Sequence, residues 1–338
     1  MAMAERSELL RRALGSTLAG TTGQASGDAF SRPDISFYEG KVRDCYSAAG
    51  KRWIVTTDRI SAFDHVLGTI PFKGQVLTRM AAYWFETTRD IAPNHLLRVA
   101  DPNVLECVDC KPLLVEMVVR GYLTGTTSTS IWTHYAKGAR MFAGHALADG
   151  LVKNQRLGQA IVTPATKAPK GQHDVTVARA DILAEGHVSA AEFDRAASYA
   201  LALFAHGQQV ALERGLLLVD TKYEFGVAKD GSILVIDEMH TPDSSRYWRA
   251  DTYAEKMAAG LDPDALDKDV VRRHLLEGGY QGDGPPPPLS EDIRVRAAEK
   301  YIAAYEQITG THFEPDLREP HARIKEAVER SLQRESES

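Results

Sequence analysis

The sequence has no apolar run of membrane length, and its first twenty residues, MAMAERSELLRRALGSTLAG, break each apolar stretch with charge or small polar residues. The expectation is a chain with neither a spanning helix nor a secretory leader. Cysteine is scarce: Cys45, Cys107 and Cys110 cannot all pair, so no disulfide framework is expected. Cys107 and Cys110 have CxxC spacing, but no second CxxC and no nearby histidine completes a zinc set. A basic excess is also missing: the net charge is −6, which argues against a nucleic-acid surface. There is no internal repeat and no HRD or DFG segment of the protein-kinase kind. Together these absences lead to an expected cytoplasmic protein with no membrane and no nucleic-acid partner.

What is present is ordinary globular material, 43% hydrophobic and 25% charged over 338 residues, enough for two domains or one large one. Periodicity predicts a helix from Glu5 to Leu14 and a small-residue linker up to Pro33. The stretch from Phe37 reads as a strand, a turn at Ala49 and Gly50, and a second strand. Lys41 and Arg43 would share one face of the first strand just after Gly40, which suits either a lid over a polyphosphate or a solvated edge strand. Asp58, Arg59, Ser61 and Asp64 follow the second strand, either as site residues or as loop ties.

A core helix is expected over Gln75–Thr88, and a nearly continuous apolar strand over Lys111–Tyr122 carries Glu116 and ends near Arg120. Burial of that strand would leave Arg120 to meet an anion. The hydroxyl-rich loop Leu123–Ser130 is either a phosphate cradle at a helix start or a flexible polar loop. Lys167 and Asp174 occupy another polar loop. Ser189 and Glu192 form a capping box for a helix reaching Arg214, with Gly215 as its stop. After a proline-rich linker at Gly282–Pro288, Ser290 caps a helix stopped at Gly310, and the charged tail reads as frayed.

The segment LLLVDTKYEFGVAKDGSILVIDEMHTPDSSRYW, Leu216 to Trp248, organises the rest. With Asp230 and Gly231 as a two-residue type I′ turn, Phe225 faces Ile236 on an apolar face, and Glu224 faces Asp237 on the other, beside Lys222. Opposed carboxylates destabilise a sheet by about 0.2–1 kcal/mol, whereas Mg²⁺ between them would reverse the sign, with Lys222 on a phosphate oxygen. Two readings stay open from these residues alone: a solvated charged face, or a metal and phosphate site.

The stretches YEGKVRDCY, TTDRISAFD, LLVEMVVRGYLTG, TPATKA with its following HD, LVDTKYEFG and IDEMHTPDSSRYW run in order from Phe37 to Trp248. Together they resemble the SAICAR synthetase family of purine biosynthesis, the phosphoribosylaminoimidazole-succinocarboxamide synthases. The resemblance implies an ATP-dependent ligase that joins carboxyaminoimidazole ribonucleotide to L-aspartate, through an acyl phosphate, releasing ADP and phosphate. It implies an α+β fold in which a small N-terminal antiparallel β domain covers ATP against a larger α/β domain, plus C-terminal helices. The expected segments are an N-terminal helix and linker at 1–33, an ATP-lid domain at 34–116, an ATP and substrate domain at 117–281, and the proline linker with C-terminal helices at 282–338.

By position, Gly40, Lys41 and Arg43 match the strand-loop over the ATP phosphates, Glu116 and Met117 the region near adenine, and Lys167, Lys222 and Glu224 further ATP-site residues. Glu224 and Asp237 match magnesium positions. Arg120, Ser130 and Arg246 match groups that hold the ribonucleotide phosphate or carboxylate. Lys222 is also assigned a catalytic role, and Asp64 or Asp174 is the expected general base. The loop TGTTSTSIW is longer than in the shortest family versions, so alignment through Gly125 would put Thr126 at the Ser130 position. A small-molecule kinase and a non-catalytic purine-nucleotide-binding regulator are the competing readings.

Overall fold

The computed structural model describes residues 3–21, 33–63, 65–167, 175–186, 188–266, 270–280, 282 and 284–336; Asp64 and Asp174 lie outside them. The chain divides into two units. The first comprises the described residues of Met1–Tyr83, His95–Asp109 and Asp267–Ser338, and the second Trp84–Asn94 and those of Cys110–Leu266.

In the first unit five antiparallel strands lie in the order Ser36–Glu39, Arg43–Ala48, Lys51–Thr56, Val104–Val108, Leu96–Asp101. The expected single strand carrying Lys41 and Arg43 on one face is instead a hairpin, with Glu39 opposite Asp44. Gly40 N–H donates to Arg43 O at 2.8 Å. A Cβ on Gly40 would stand 3.0 Å from that same oxygen, so a larger residue would push the turn open. Lys41 therefore sits at a hairpin tip, and Arg43 starts the next strand opposite Thr56. The Ala49 and Gly50 turn is as expected, both residues at positive φ, 49° and 80°.

The charged tail is helical as far as Ser336 and not frayed there, its last two residues lying outside the described ones. Pro320–Ser336 is a helix whose Ile324 and Val328 pack with Leu18, Tyr46, Ala48, Trp53, Val55 and Val104. Trp53 Nε1 donates to Ser331 Oγ at 3.0 Å, and Ser331 Oγ donates to Glu106 at 2.7 Å. Ile324, Val328 and Ser331 fall at i, i+4 and i+7, a stripe that the intervening charges hide from a composition argument. Burying its two aliphatic side chains stabilises the unit by roughly 1.5–3 kcal/mol each. Ser290 accepts from Ile293 N–H to open Glu291–Thr309, and Gly310, at φ 71°, closes it as its sequence predicts.

In the second unit the antiparallel order is Arg156–Val162, Lys111–Tyr122, Leu216–Val227, Ile233–Ile236; Ala165–Thr166 pairs the second of these and Ser245–Arg249 the third. Helix Ala190–Glu213 opens with the expected Ser189 and Glu192 capping box. It lies against the Leu216–Val227 strand, where a Cβ on Gly207 would stand 2.8 Å from Leu218 Cδ2. Val219, Tyr223 and Phe225 on that strand are wholly buried. Alternation sends Asp220, Lys222 and Glu224 to the opposite face. The fold is α+β, with antiparallel sheets and C-terminal helices, as expected.

The hairpin register is offset by one residue from expectation. Glu224 pairs with Ile236, and Phe225 with Val235. The loop holds three residues, not two: Ala228 N–H donates to Ser232 O at 2.9 Å, and Gly231 takes the left-handed position at φ 85°. Asp230 Oδ1 fixes the loop by accepting from Ser232 N–H and Oγ at 2.9 and 2.6 Å. The slip leaves the faces of the first strand intact but exchanges those of its return partner. Asp237 is therefore not opposite Glu224.

Candidate active site

Three adjacent strands of the second unit bring Arg120, Asp220 and Arg246 into one cross-strand row. Arg120 Nη1 and Arg246 Nη1 approach Asp220 Oδ2 at 3.7 and 3.8 Å, and Arg120 Nε donates to Thr163 Oγ1 at 2.9 Å. Burial lowers the Arg120 pKa, partly offset by Asp220. Two guanidiniums around one carboxylate leave a net positive row suited to an anion. Asp220 was missed in the sequence, although extending the Lys222 and Glu224 alternation back one step finds it.

Four positions along, Glu224 stands opposite Glu116, so the opposed carboxylates are real but the partner is on the Lys111–Tyr122 strand. Lys222 Nζ donates to Glu116 Oε1 at 2.7 Å and to Glu224 Oε1 at 3.3 Å, while Lys167 donates to Glu224 Oε2. Burial opposes charge on Lys222, but Glu224, Glu116 and, further off, Asp237 outweigh it and raise its pKa well above the usual lysine range. Burial likewise opposes charge on Glu224, yet Lys222 and Lys167 hold it down to about 2. Lys222 and Glu224 are thus both charged across the physiological range.

Asp237 follows its strand at φ 68°, and His240 sits at φ 53°, both left-handed without glycine. Such residues cost about 1–3 kcal/mol each and persist only when neighbours fix them. Here Tyr223 Oη and His240 Nε2 lie 2.5 Å apart, Tyr247 Oη donates to His240 O at 2.7 Å, and the Trp84 ring meets the imidazole edge-on. Burial lowers the His240 pKa to about 3, with His206 adding to the effect. A histidine depressed from about 6.5 gives stability that is complete above pH 6.5 and lost as pH falls through the window toward 3. Against its parent, His240→Gln is expected to lose roughly 3 kcal/mol of pH-dependent stability between pH 7 and pH 4 in urea unfolding. A constant difference between the two proteins over that range would contradict it.

Glu224 and Asp237 offer hard oxygen donors, and each Glu224 oxygen keeps a lone pair beyond its lysine bond, so the donor set fits Mg²⁺. Among the described residues no group of three or more His, Cys, Asp or Glu makes a metal cage, so phosphate oxygens would complete the shell. Met117 is wholly buried and pairs with Tyr223, on the face away from Glu116. Ser130 caps Ile131–Ala136, accepting from Thr133 N–H and donating to Thr127 O at 2.9 Å, while Thr126 is exposed. Gly125, at φ 109°, leaves no room for a side chain: a Cβ would stand 2.4 Å from Ser130 Cβ. Gly40, Lys41 and Arg43 form the hairpin tip of the first unit described above. Asp64 and Asp174 fall outside the described residues.

The family profile for SAICAR synthetase matches residues 36–287. A phosphoribosylaminoimidazole-succinocarboxamide synthase of Legionella pneumophila (strain Lens) is 47% identical over 278 residues, covering 82% of this chain and 88% of that protein. The SAICAR synthase of Saccharomyces cerevisiae, solved in complex with SAICAR, superposes with TM-score 0.71 at 30% identity, covering 84% of this chain and 97% of that one. A SAICAR synthetase solved with ADP shares the fold, with TM-score 0.63 at 24% identity over 83% of this chain and all of that one. The row of arginines, the lysine and carboxylate network beside it and these likenesses converge: the chain belongs to the SAICAR synthetase family.

Proposed function

We propose that the protein joins carboxyaminoimidazole ribonucleotide to L-aspartate at the expense of ATP, giving SAICAR, ADP and phosphate. The observation that carries this reading is the charged face of Leu216–Val227, where an anion-binding row of arginines adjoins a lysine and carboxylate network. A carboxylate is a poor electrophile. In the proposed sequence its oxygen attacks the γ-phosphorus, ADP leaves, and the aspartate amine attacks the resulting acyl carbon. The C–N bond forms as phosphate departs, and the amine proton passes to a base, for which Asp64 and Asp174 are the candidates. No protein nucleophile is required, so the residues act by positioning and charge neutralisation.

Arg120 and Arg246 would hold the ribonucleotide phosphate or carboxylate, with Ser130 at the loop end. Lys222, kept cationic by its carboxylates, neutralises charge on the transferring phosphoryl group, and Lys167 keeps Glu224 ionised. Glu224 and Asp237 would hold Mg²⁺, which when bound offsets phosphate charge. In the first unit, Gly40, Lys41 and Arg43 are the proposed cover of the ATP phosphates. We place the enzyme in the cytoplasm. The chain has only three cysteines, and no helix among the described residues is long and apolar enough to cross a membrane.

The test is ADP release with ATP, Mg²⁺, carboxyaminoimidazole ribonucleotide and L-aspartate, each omitted in turn. Dependence on all four, with a succinocarboxamide product by mass, is expected; turnover without aspartate would indicate a kinase, and nucleotide binding without turnover a regulator. Asp237→Asn separates metal holding from folding, because Asn tolerates the left-handed backbone as Asp does. It should lower kcat by about 10²-fold or more with an unchanged melting temperature. Full magnesium-dependent activity in that variant would remove Asp237 from the metal set.

A further inference from the structure

Arg59 is only 5% exposed, although it stands in a polar stretch. Its guanidinium is engaged with backbone. Nε donates to Lys41 O at 3.0 Å, Nη2 to Gly40 O at 3.0 Å and Nη1 to Ala19 O at 2.8 Å. Nη2 also donates to Asp44 Oδ1 at 2.7 Å. Asp44 is itself anchored, accepting from Thr21 N–H and Thr21 Oγ1 through Oδ2, both at 2.7 Å. The next carbonyl, Val42 O, accepts from Thr57 N–H at 3.1 Å and Thr57 Oγ1 at 2.8 Å. Three consecutive carbonyls of the hairpin tip, at positions 40, 41 and 42, are thus held by residues 57 and 59.

The charge of Arg59 is neutralised by Asp44 at the core of the unit, and its donors face inward, so it is not placed to bind phosphate itself. A guanidinium offers donors in a fixed planar fork. Carbonyls locked to that fork fix their peptide planes, because the peptide bond is planar. The orientation of the tip, and with it the departure of the Lys41 side chain, follows from those planes. We infer that Arg59 and Thr57 form a backbone clamp that presets the Gly40–Arg43 tip before nucleotide arrives, which makes Arg59 a positioning residue. The inference rests on the proposed role of this tip as the cover of the ATP phosphates. A preset tip loses little ordering entropy on binding, which an unclamped glycine turn would have to supply.

Four variants test it: Lys41→Met, Arg59→Lys, Thr57→Val and Thr57→Ser, each with kcat and a KM for every substrate, corrected for folded fraction by circular dichroism. Lysine replaces the fork with a point donor, valine removes the hydroxyl at nearly constant shape, and serine keeps it. Arg59→Lys should lower kcat/KM for ATP by about 10²-fold and Thr57→Val by about tenfold, with the aspartate KM within about twofold of the parent. Thr57→Ser should restore most of the loss. If Lys41→Met raises the ATP KM while Thr57→Val and Arg59→Lys do not, the clamp is wrong and the reading of the tip stands. If none of the variants changes the ATP KM, the reading of the tip fails and the clamp with it. A fall in kcat that only tracks folded fraction, all KM values unchanged, would reduce both residues to structural ties and overturn the inference. Should Arg59→Lys not fold, the Thr57→Val and Thr57→Ser pair decides.

Discussion

Lys222→Met is expected to reduce kcat by about 10³-fold, at the upper end of what loss of one preorganised charge-stabilising group produces. The same substitution should change how stability depends on pH. In the parent, Glu224 is held to about 2, so its contribution is complete above its ordinary value of 4.5 and lost as pH falls through that window. Without Lys222, Glu116 and Glu224 remain opposite each other with side chains only 9% and 16% exposed. Lys167 still serves Glu224, but the ammonium that Glu116 shared is gone. The pair then favours a bound proton, its effective folded pKa rises, and stability is present at low pH and lost as pH rises through that value. The Lys222 side chain is 37% exposed, so water softens the change, and about 1–2 kcal/mol near pH 7 is the expected cost. Melting temperatures of the two proteins from pH 4 to pH 8 should converge toward acid. A difference that widens on acidification would contradict the network as drawn, and near-normal kcat would remove Lys222 from the chemistry.

Arg323→Met should be the more damaging to folding. Arg323 and Asp101 pair with side chains 4% and 3% exposed, and Arg323 Nη2 donates to Asn103 Oδ1 at 2.6 Å. Asn103 in turn donates through Nδ2 to Thr56 O at 2.7 Å, where the strand Lys51–Thr56 ends. Removing the arginine leaves a carboxylate buried without its counter-charge, which typically costs about 3–5 kcal/mol, or roughly 10 °C in melting temperature for a unit of this size. Replacing both partners is a different case. Arg323→Met with Asp101→Leu abolishes the stranded charge and should recover most of the loss, since buried pairs exchanged for apolar residues are often neutral. A double variant as unstable as the single one would place the cost elsewhere, in the Asn103 contacts.

Features set by near neighbours were legible in the sequence. Ser189 and Ser290 cap their helices and Gly215 and Gly310 end them because a cap is decided within one turn. The alternation of VDTKYEFG correctly separated Lys222 and Glu224 from Tyr223 and Phe225, since side-chain period depends only on the strand. The return strand did not yield to the same logic: its register turned on whether the loop held two residues or three, and Asp-Gly is compatible with both. The Glu116 and Glu224 rung could not be read at all, because Lys222 and Glu116 meet across 106 positions and no local pattern encodes that pairing. Arg59 was ambiguous for the same reason, its partners lying 15 to 40 positions away. The helix Pro320–Ser336 was misjudged because charge content outweighed a two-turn aliphatic stripe.

That last helix has a bearing on how the protein is made. The strands of the second unit are all contained between residues 111 and 249, so its sheet can close while the ribosome is still working. The first unit has its strands ready by residue 108, yet Trp53, Val55 and Val104 await Ile324 and Val328. At a translation speed of about 5–20 residues per second, the interval is on the order of ten seconds or more. During that time an earlier-synthesised sheet has an uncovered apolar face while the later-synthesised one is complete. Nascent chains of this enzyme should therefore engage chaperones through residues 36–108, and release from them should coincide with emergence of the final helix.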